Sequence, residues 1–62
     1  MDIGEFHKFC IQYKVTYHIV YKNDINEFEV SAYNWKDWFG AIFGKEECFD
    51  KMADKIRARI NV

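Results

Sequence analysis

Residues 27–44 read EFEVSAYNWKDWFGAIFG. The first seven of these alternate, with Phe28, Val30 and Ala32 on one side and Glu27 and Glu29 on the other, the pattern of a strand with one buried and one wet face. The next eleven residues decide the fold. Asn34 is suited to cap a helix, because its side-chain oxygen accepts from the unsatisfied amides of a first turn, and Asp37 suits the positive end of the dipole. Trp35, Trp38, Phe39, Ile42 and Phe43 fall at i, i+3, i+4, i+7 and i+8, which predicts a helix over residues 35–43. Gly40 and Gly44 would each weaken that helix by roughly 1 kcal/mol relative to Ala, and Gly44 suits its left-handed end.

Toward the N-terminus, every odd position of residues 9–21 is apolar or aromatic: Phe9, Ile11, Tyr13, Val15, Tyr17, Ile19 and Tyr21. The even positions are polar except at Cys10 and Val20. This predicts one long half-buried strand of roughly 43 Å, at about 3.3 Å per residue. Asn23, Asp24, Ile25 and Asn26 supply the turn, since Asn and Asp tolerate left-handed backbone and bond their own main chain. The turn leads into a hairpin with residues 27–33, and half of the longer strand is left to find another partner, a second copy among them. Toward the C-terminus, Phe49, Met52, Ala53, Ile56 and Ile60 repeat the helical spacing, predicting a second helix from about Lys45. Ile56, Ala58, Ile60 and Val62 also alternate with Arg57, Arg59 and Asn61, so a third strand at residues 56–62 is the alternative. The predicted fold class is α+β: an antiparallel hairpin packed against one kinked or two short C-terminal helices, or β-β-α-β if the ending is a strand.

The chain has 62 residues, nine basic and ten acidic side chains, no Pro, two Cys and a 19% aromatic content. A length of this order predicts a single domain, residues 1–62, with little room for a deep substrate cavity. A net charge of −1 gives no global field for wrapping nucleic acid or holding an anionic membrane. No stretch approaches the ~18 apolar residues of a membrane span, and MDIGEFHKF lacks the order of a signal peptide; a cytoplasmic protein with reduced thiols is predicted. Leu is absent, so rings and β-branched residues must build the core.

Chemistry is sparsely supported. A structural zinc site needs about four ligands, and His7, Cys10, His18 and Cys48 are the candidates. On the predicted strand Cys10 and His18 stand roughly 26 Å apart, so neither a metal nor any other cofactor is expected. Neither thiol has a histidine at telling spacing, and Glu27/Glu29 or Glu46/Glu47 read as solvated carboxylates; no enzyme is predicted. Protein recognition accounts for more of the sequence. Tyr33, Trp35 and Trp38 cluster at the expected strand-to-helix corner beside Glu27 and Glu29, and large rings of this kind anchor interfaces. These five are the candidate partner-binding residues, with a homodimer as one expected outcome. The competing expectation is a nucleic-acid module using Lys51, Lys55, Arg57 and Arg59 with aromatic stacking from the sheet. A structural subunit of a larger assembly would show the same surface.

A hairpin running through EFEVSAYNWKDWFGAIFG into a short aromatic helix, and closing on KIRARINV, resembles the small early proteins with which bacteriophages bind and block host enzymes. Inhibitors of uracil-DNA glycosylase and of bacterial RNA polymerase belong to that group. The resemblance covers about residues 13 to 62 in order of elements. It implies a stoichiometric inhibitor or modulator of a host protein, acting in the host cytoplasm.

Overall fold

The computed structural model describes residues 1–60, in the order helix α1 (Ile3–Tyr13), strands β1 (Thr16–Lys22), β2 (Glu27–Tyr33) and β3 (Trp38–Gly44), and helix α2 (Glu47–Ile60). The strands form an antiparallel sheet in the order β1-β2-β3, so the α+β class holds. So does the hairpin of β1 with β2, joined through residues 23–26. Its register pairs Tyr17 with Ala32, Ile19 with Val30 and Tyr21 with Phe28. These are the residues whose alternation places them toward the core.

Two elements differ from expectation. The predicted long strand is a helix up to Tyr13, and only residues 16–22 are extended. Phe6, Phe9, Cys10 and Tyr13 also sit at i, i+3, i+4 and i+7, and the first three are buried while Ile11 is 63% exposed. The helix has its own start and stop. Asp2 accepts from the Glu5 amide at 2.8 Å, and the Glu5 carboxylate accepts from the Asp2 amide at 2.9 Å, a reciprocal capping box. At the other end Lys14 lies in the left-handed region (φ 58°). Its amide donates to the Ile11 carbonyl and that of Val15 to Cys10, a Schellman closure. The shortened β1 pairs with β2 along its whole length, so the unpaired half-strand that suggested a second copy does not exist.

The helix expected at residues 35–43 is strand β3. Asn34 makes the expected bonds, its Oδ1 accepting from Lys36 and Asp37 amides at 2.8 and 2.6 Å, but they close a turn instead of opening a helix. The Asn34 amide donates to the Asp37 carbonyl at 2.9 Å, and the chain reverses to pair with β2. The glycines weaken a helix here, and the run of Trp, Phe and Ile suits a strand once β2 offers its edge. Register slips within the pair: Ala32 faces Gly40, yet Tyr33 faces Trp38, leaving Phe39 as an extra residue in a β-bulge. Phe39 swings into the core, 2% exposed. Gly40 sustains the bend with φ +94°, a conformation unfavourable to side chains.

Helix α2 forms where expected, and its stripe of Phe49, Met52, Ala53 and Ile56 is fully buried along with Cys48. Residues 56–60 are helical, which removes most of the alternative third strand; residues 61–62 lie outside the described residues. Both helices cover one face of the sheet, α2 across β2 and β3 and α1 against α2 and β1. The core between them is ring-built, as the missing Leu requires. Phe49 stacks on Phe6 with centroids 5.5 Å apart and meets Phe28 at 5.3 Å, while Tyr17 sets its edge on Phe6 at 5.4 Å.

Candidate functional site

The other face of the sheet is uncovered among the described residues. Alternation from the buried Val30 and Ala32 puts Glu27, Glu29, Ser31 and Tyr33 of β2 on it, with Thr16, His18, Val20 and Lys22 opposite on β1. On β3 the bulge breaks the simple alternation. Trp38 and Phe43 are five residues apart and would alternate to opposite faces, but the extra residue restores them to the same one. Trp38 is 60% exposed, Phe43 51% and Tyr33 48%. Tyr33 and Trp38 stand directly opposite one another, and Val20, Glu29 and Phe43 make a second cross-strand row nearer the hairpin turn. The face is thus apolar along β3 and acidic in the middle. Lys22 reaches Glu29 at 3.5 Å, whereas Glu27 has no cationic partner within 4 Å among the described residues.

Four of the five expected partner-binding residues, Glu27, Glu29, Tyr33 and Trp38, therefore share this face. Trp35 does not join them. It stands 91% exposed in the β2–β3 turn, on the rim of a cleft between that turn and the ends of α1 and α2. The cleft has a volume of about 310 Å³, with Tyr13, Lys14, Lys36, Asp37 and Arg59 among its walls. Two further residues of the face, Phe43 and Val20, lie outside the predicted set. Phe43 fits a helical stripe in sequence, and only the bulge puts it outside; Val20 carries a signal, being one of two breaks in the polar alternation of residues 9–21.

The basic run lies on α2, in the layer away from the open face. Arg57 bonds Asp54 at 3.1 Å and covers the Phe9 ring at 4.8 Å; Arg59 bonds Asp37 at 3.3 Å and sits 6.0 Å over Phe39. Lys55 lies across β3, its Nζ 3.0 Å from the point where a Cβ on Gly40 would be. Lys51 is exposed one turn earlier. Packing and ion pairing thus occupy three of the four, and of the sheet aromatics Tyr17 and Phe28 are packed against the core while Tyr33, Trp38 and Phe43 face the other side of the sheet.

Cys10 and Cys48 are buried reduced thiols. Burial pushes the Cys10 thiol up to about 11 and raises that of Cys48, opposite to what a nucleophile requires. Cys10 is on α1 and does not share a strand with His18, so the 26 Å strand spacing expected between them does not apply. Among the described residues no three His, Cys, Asp or Glu side chains gather as a metal site. His7 instead meets the Tyr17 hydroxyl through Nδ1 at 2.7 Å, tying α1 to β1. No described helix is long and apolar enough to cross a membrane.

Comparison of the chain with protein-family models, with curated proteins and with solved structures returns no match.

Proposed function

We propose that this chain is a protein-binding module, acting through the uncovered face of its sheet as a stoichiometric modulator of another protein. The observation that carries the reading is the row Tyr33, Trp38 and Phe43, three rings each about half exposed on a three-stranded sheet. Rings on strands lose little freedom on binding and bring large contact areas, which is why Trp and Tyr dominate interface anchors. Glu27 and Glu29 beside them give the face an acidic flank. The partner that fits is a protein presenting an apolar groove rimmed by Lys or Arg. Inhibition of a host enzyme, the mode of the small phage proteins, needs only such a face: one partner bound, no turnover, no cofactor.

The test uses Trp38→Ala and Phe43→Ser together, since both side chains leave the core untouched. Tagged wild-type and variant proteins are incubated with nuclease-treated bacterial lysate after circular dichroism has shown both folded. The expected result is one protein retained by the wild type in equimolar amount, with affinity for the variant lowered at least ~30-fold, the loss of a typical ring anchor. Equal retention by the variant refutes the face as the binding surface. A wild type that retains no protein and runs as a dimer in light scattering assigns the face to a second copy and refutes the modulator reading.

A further inference from the structure

The cleft beside Trp35 has a chemistry different from the sheet face. Three cationic side chains, Lys14, Lys36 and Arg59, border it against one acid, Asp37. Arg59 and Asp37 bond one another, while Lys14 and Lys36 have no acidic partner within 4 Å among the described residues. The two helices end at this cleft, α1 at Tyr13 and α2 at Ile60, and each C-terminus contributes about −0.5 of a charge. Against a side-chain sum of +2, the helix ends leave a surplus of about +1 among the described residues. This surplus sits on a chain whose net charge is −1. A positive pocket on a slightly acidic protein is not a consequence of composition.

The walls are also aromatic. Tyr13 is half-buried at the end of α1, and the Trp35 indole is almost wholly in water on the opposite rim. An indole left 91% exposed contributes nothing to the core, and its turn is closed by Asn34 without it. We infer that this cleft binds a nucleotide: a planar base stacked on Trp35, with its phosphate between Lys14 and Lys36. Both halves of the ligand are specified by the site, since stacking accepts any base face and paired lysines hold a phosphate as point charges. The volume of about 310 Å³ is of the order of one nucleotide, and the ligand is a free mononucleotide or a single residue of an unpaired strand. Arg59, held by Asp37, is a positioning residue that keeps the α2 end of the wall in place. The cleft is independent of the uncovered sheet face, which lies on the other side of the strands.

The experiment titrates the ¹⁵N-labelled full chain with AMP, adenosine, inorganic phosphate, a phosphotyrosine peptide and single-stranded dT8, following the Trp35 indole and the amides of Lys14 and Lys36. The expected result is a saturable response to AMP confined to the cleft, at least tenfold weaker for adenosine and for phosphate alone, because each lacks one half of the ligand. A tenfold or greater preference for dT8 over AMP identifies the unpaired strand as the source, and comparable affinities identify the free nucleotide. Lys14→Gly removes a cation at a left-handed position where glycine is favoured, so it cannot act by unfolding the chain; it and Lys36→Ala should each weaken AMP at least fivefold. Equal binding of adenosine and AMP, tighter binding of the phosphotyrosine peptide, or shifts outside the cleft overturn the inference.

Discussion

Gly40→Ala separates the two structures open to residues 35–44, because it changes stability with opposite sign in each. In a helix interior, replacing Gly by Ala stabilises by about 1 kcal/mol through backbone entropy. In the bulged strand Gly40 holds φ +94°, and a Cβ in left-handed backbone costs about 1–2 kcal/mol. The new methyl would also stand 3.0 Å from the Lys55 Nζ. That group ends a flexible side chain and moves aside, so the contact adds little to the backbone cost. The expected destabilisation is therefore about 1–2 kcal/mol. For a domain of this size each kcal/mol corresponds to roughly 4–8 °C in Tm, giving a fall of about 4–16 °C. With a urea dependence near 1 kcal/mol per molar, the midpoint drops by about 1–2 M. Equilibrium urea unfolding followed by Trp fluorescence and far-UV circular dichroism measures this directly. Gly40→Asn should lose less than Gly40→Ala, because Asn tolerates left-handed backbone better. An unchanged or raised midpoint for Gly40→Ala refutes the bulge and restores the helix.

Other substitutions test the remaining supports. Asp2→Ala removes the capping box of α1 and should cost about 1 kcal/mol in the same urea assay, whereas Asp24→Ala in the exposed hairpin turn serves as a near-neutral control. Lys14→Gly should raise stability by about 0.5–1 kcal/mol, since glycine occupies the Schellman position without the Cβ penalty. Phe49→Ala deletes the ring that joins Phe6 to Phe28 and should cost about 3–5 kcal/mol, enough to abolish a cooperative transition in a domain this small; a variant with an unaltered melt would show that the ring stack is not the core. Neither thiol should react with a disulfide reagent at pH 8 until urea is added. The Cys10 thiol, raised by burial from 9.0 to about 11, gives a signed pH dependence. Between those values the unfolded chain has released a proton that the folded chain keeps, so stability is intact below pH 9 and declines as pH rises toward 11. A midpoint that rises over that interval contradicts the burial of Cys10.

Much of the fold is legible because it rests on short-range patterning. The alternation of residues 16–22 and 27–33, the Asn-Asp turn between them and the helical stripe of α2 each fix their own element, since period 2 and period 3.6 bury different sets of side chains. Sequence and structure part where one stretch satisfies both periods. Phe9 and Tyr13 fit a strand with Ile11 and a helix with Phe6 and Cys10, and the Asp2/Glu5 capping box is the local signal that favours the helix. Residues 35–43 fit a helical stripe equally well, but there the deciding influence is not local. An unpaired edge on β2 gains a full ladder if the chain turns back at Asn34, and no property of residues 35–43 alone contains that gain.

The candidate site divides along the same line. Alternation alone assigns Glu27, Glu29 and Tyr33 to one wet face, and the structure keeps them there. Trp38 and Phe43 share that face only because Phe39 is an inserted residue, a register change set by pairing with β2 and by the backbone freedom of Gly40. Trp35 is close to Trp38 in sequence but stands in the β2–β3 turn, on the rim of the cleft. The amino-acid sequence by itself determined that the core is made of rings, that one sheet face is apolar and the other mixed, and that the chain has no strong field of either sign. Only the tertiary structure decided which rings remain outside and which lysines gather at the helix ends, because those outcomes depend on contacts between residues distant in the chain, whose energies no local period encodes.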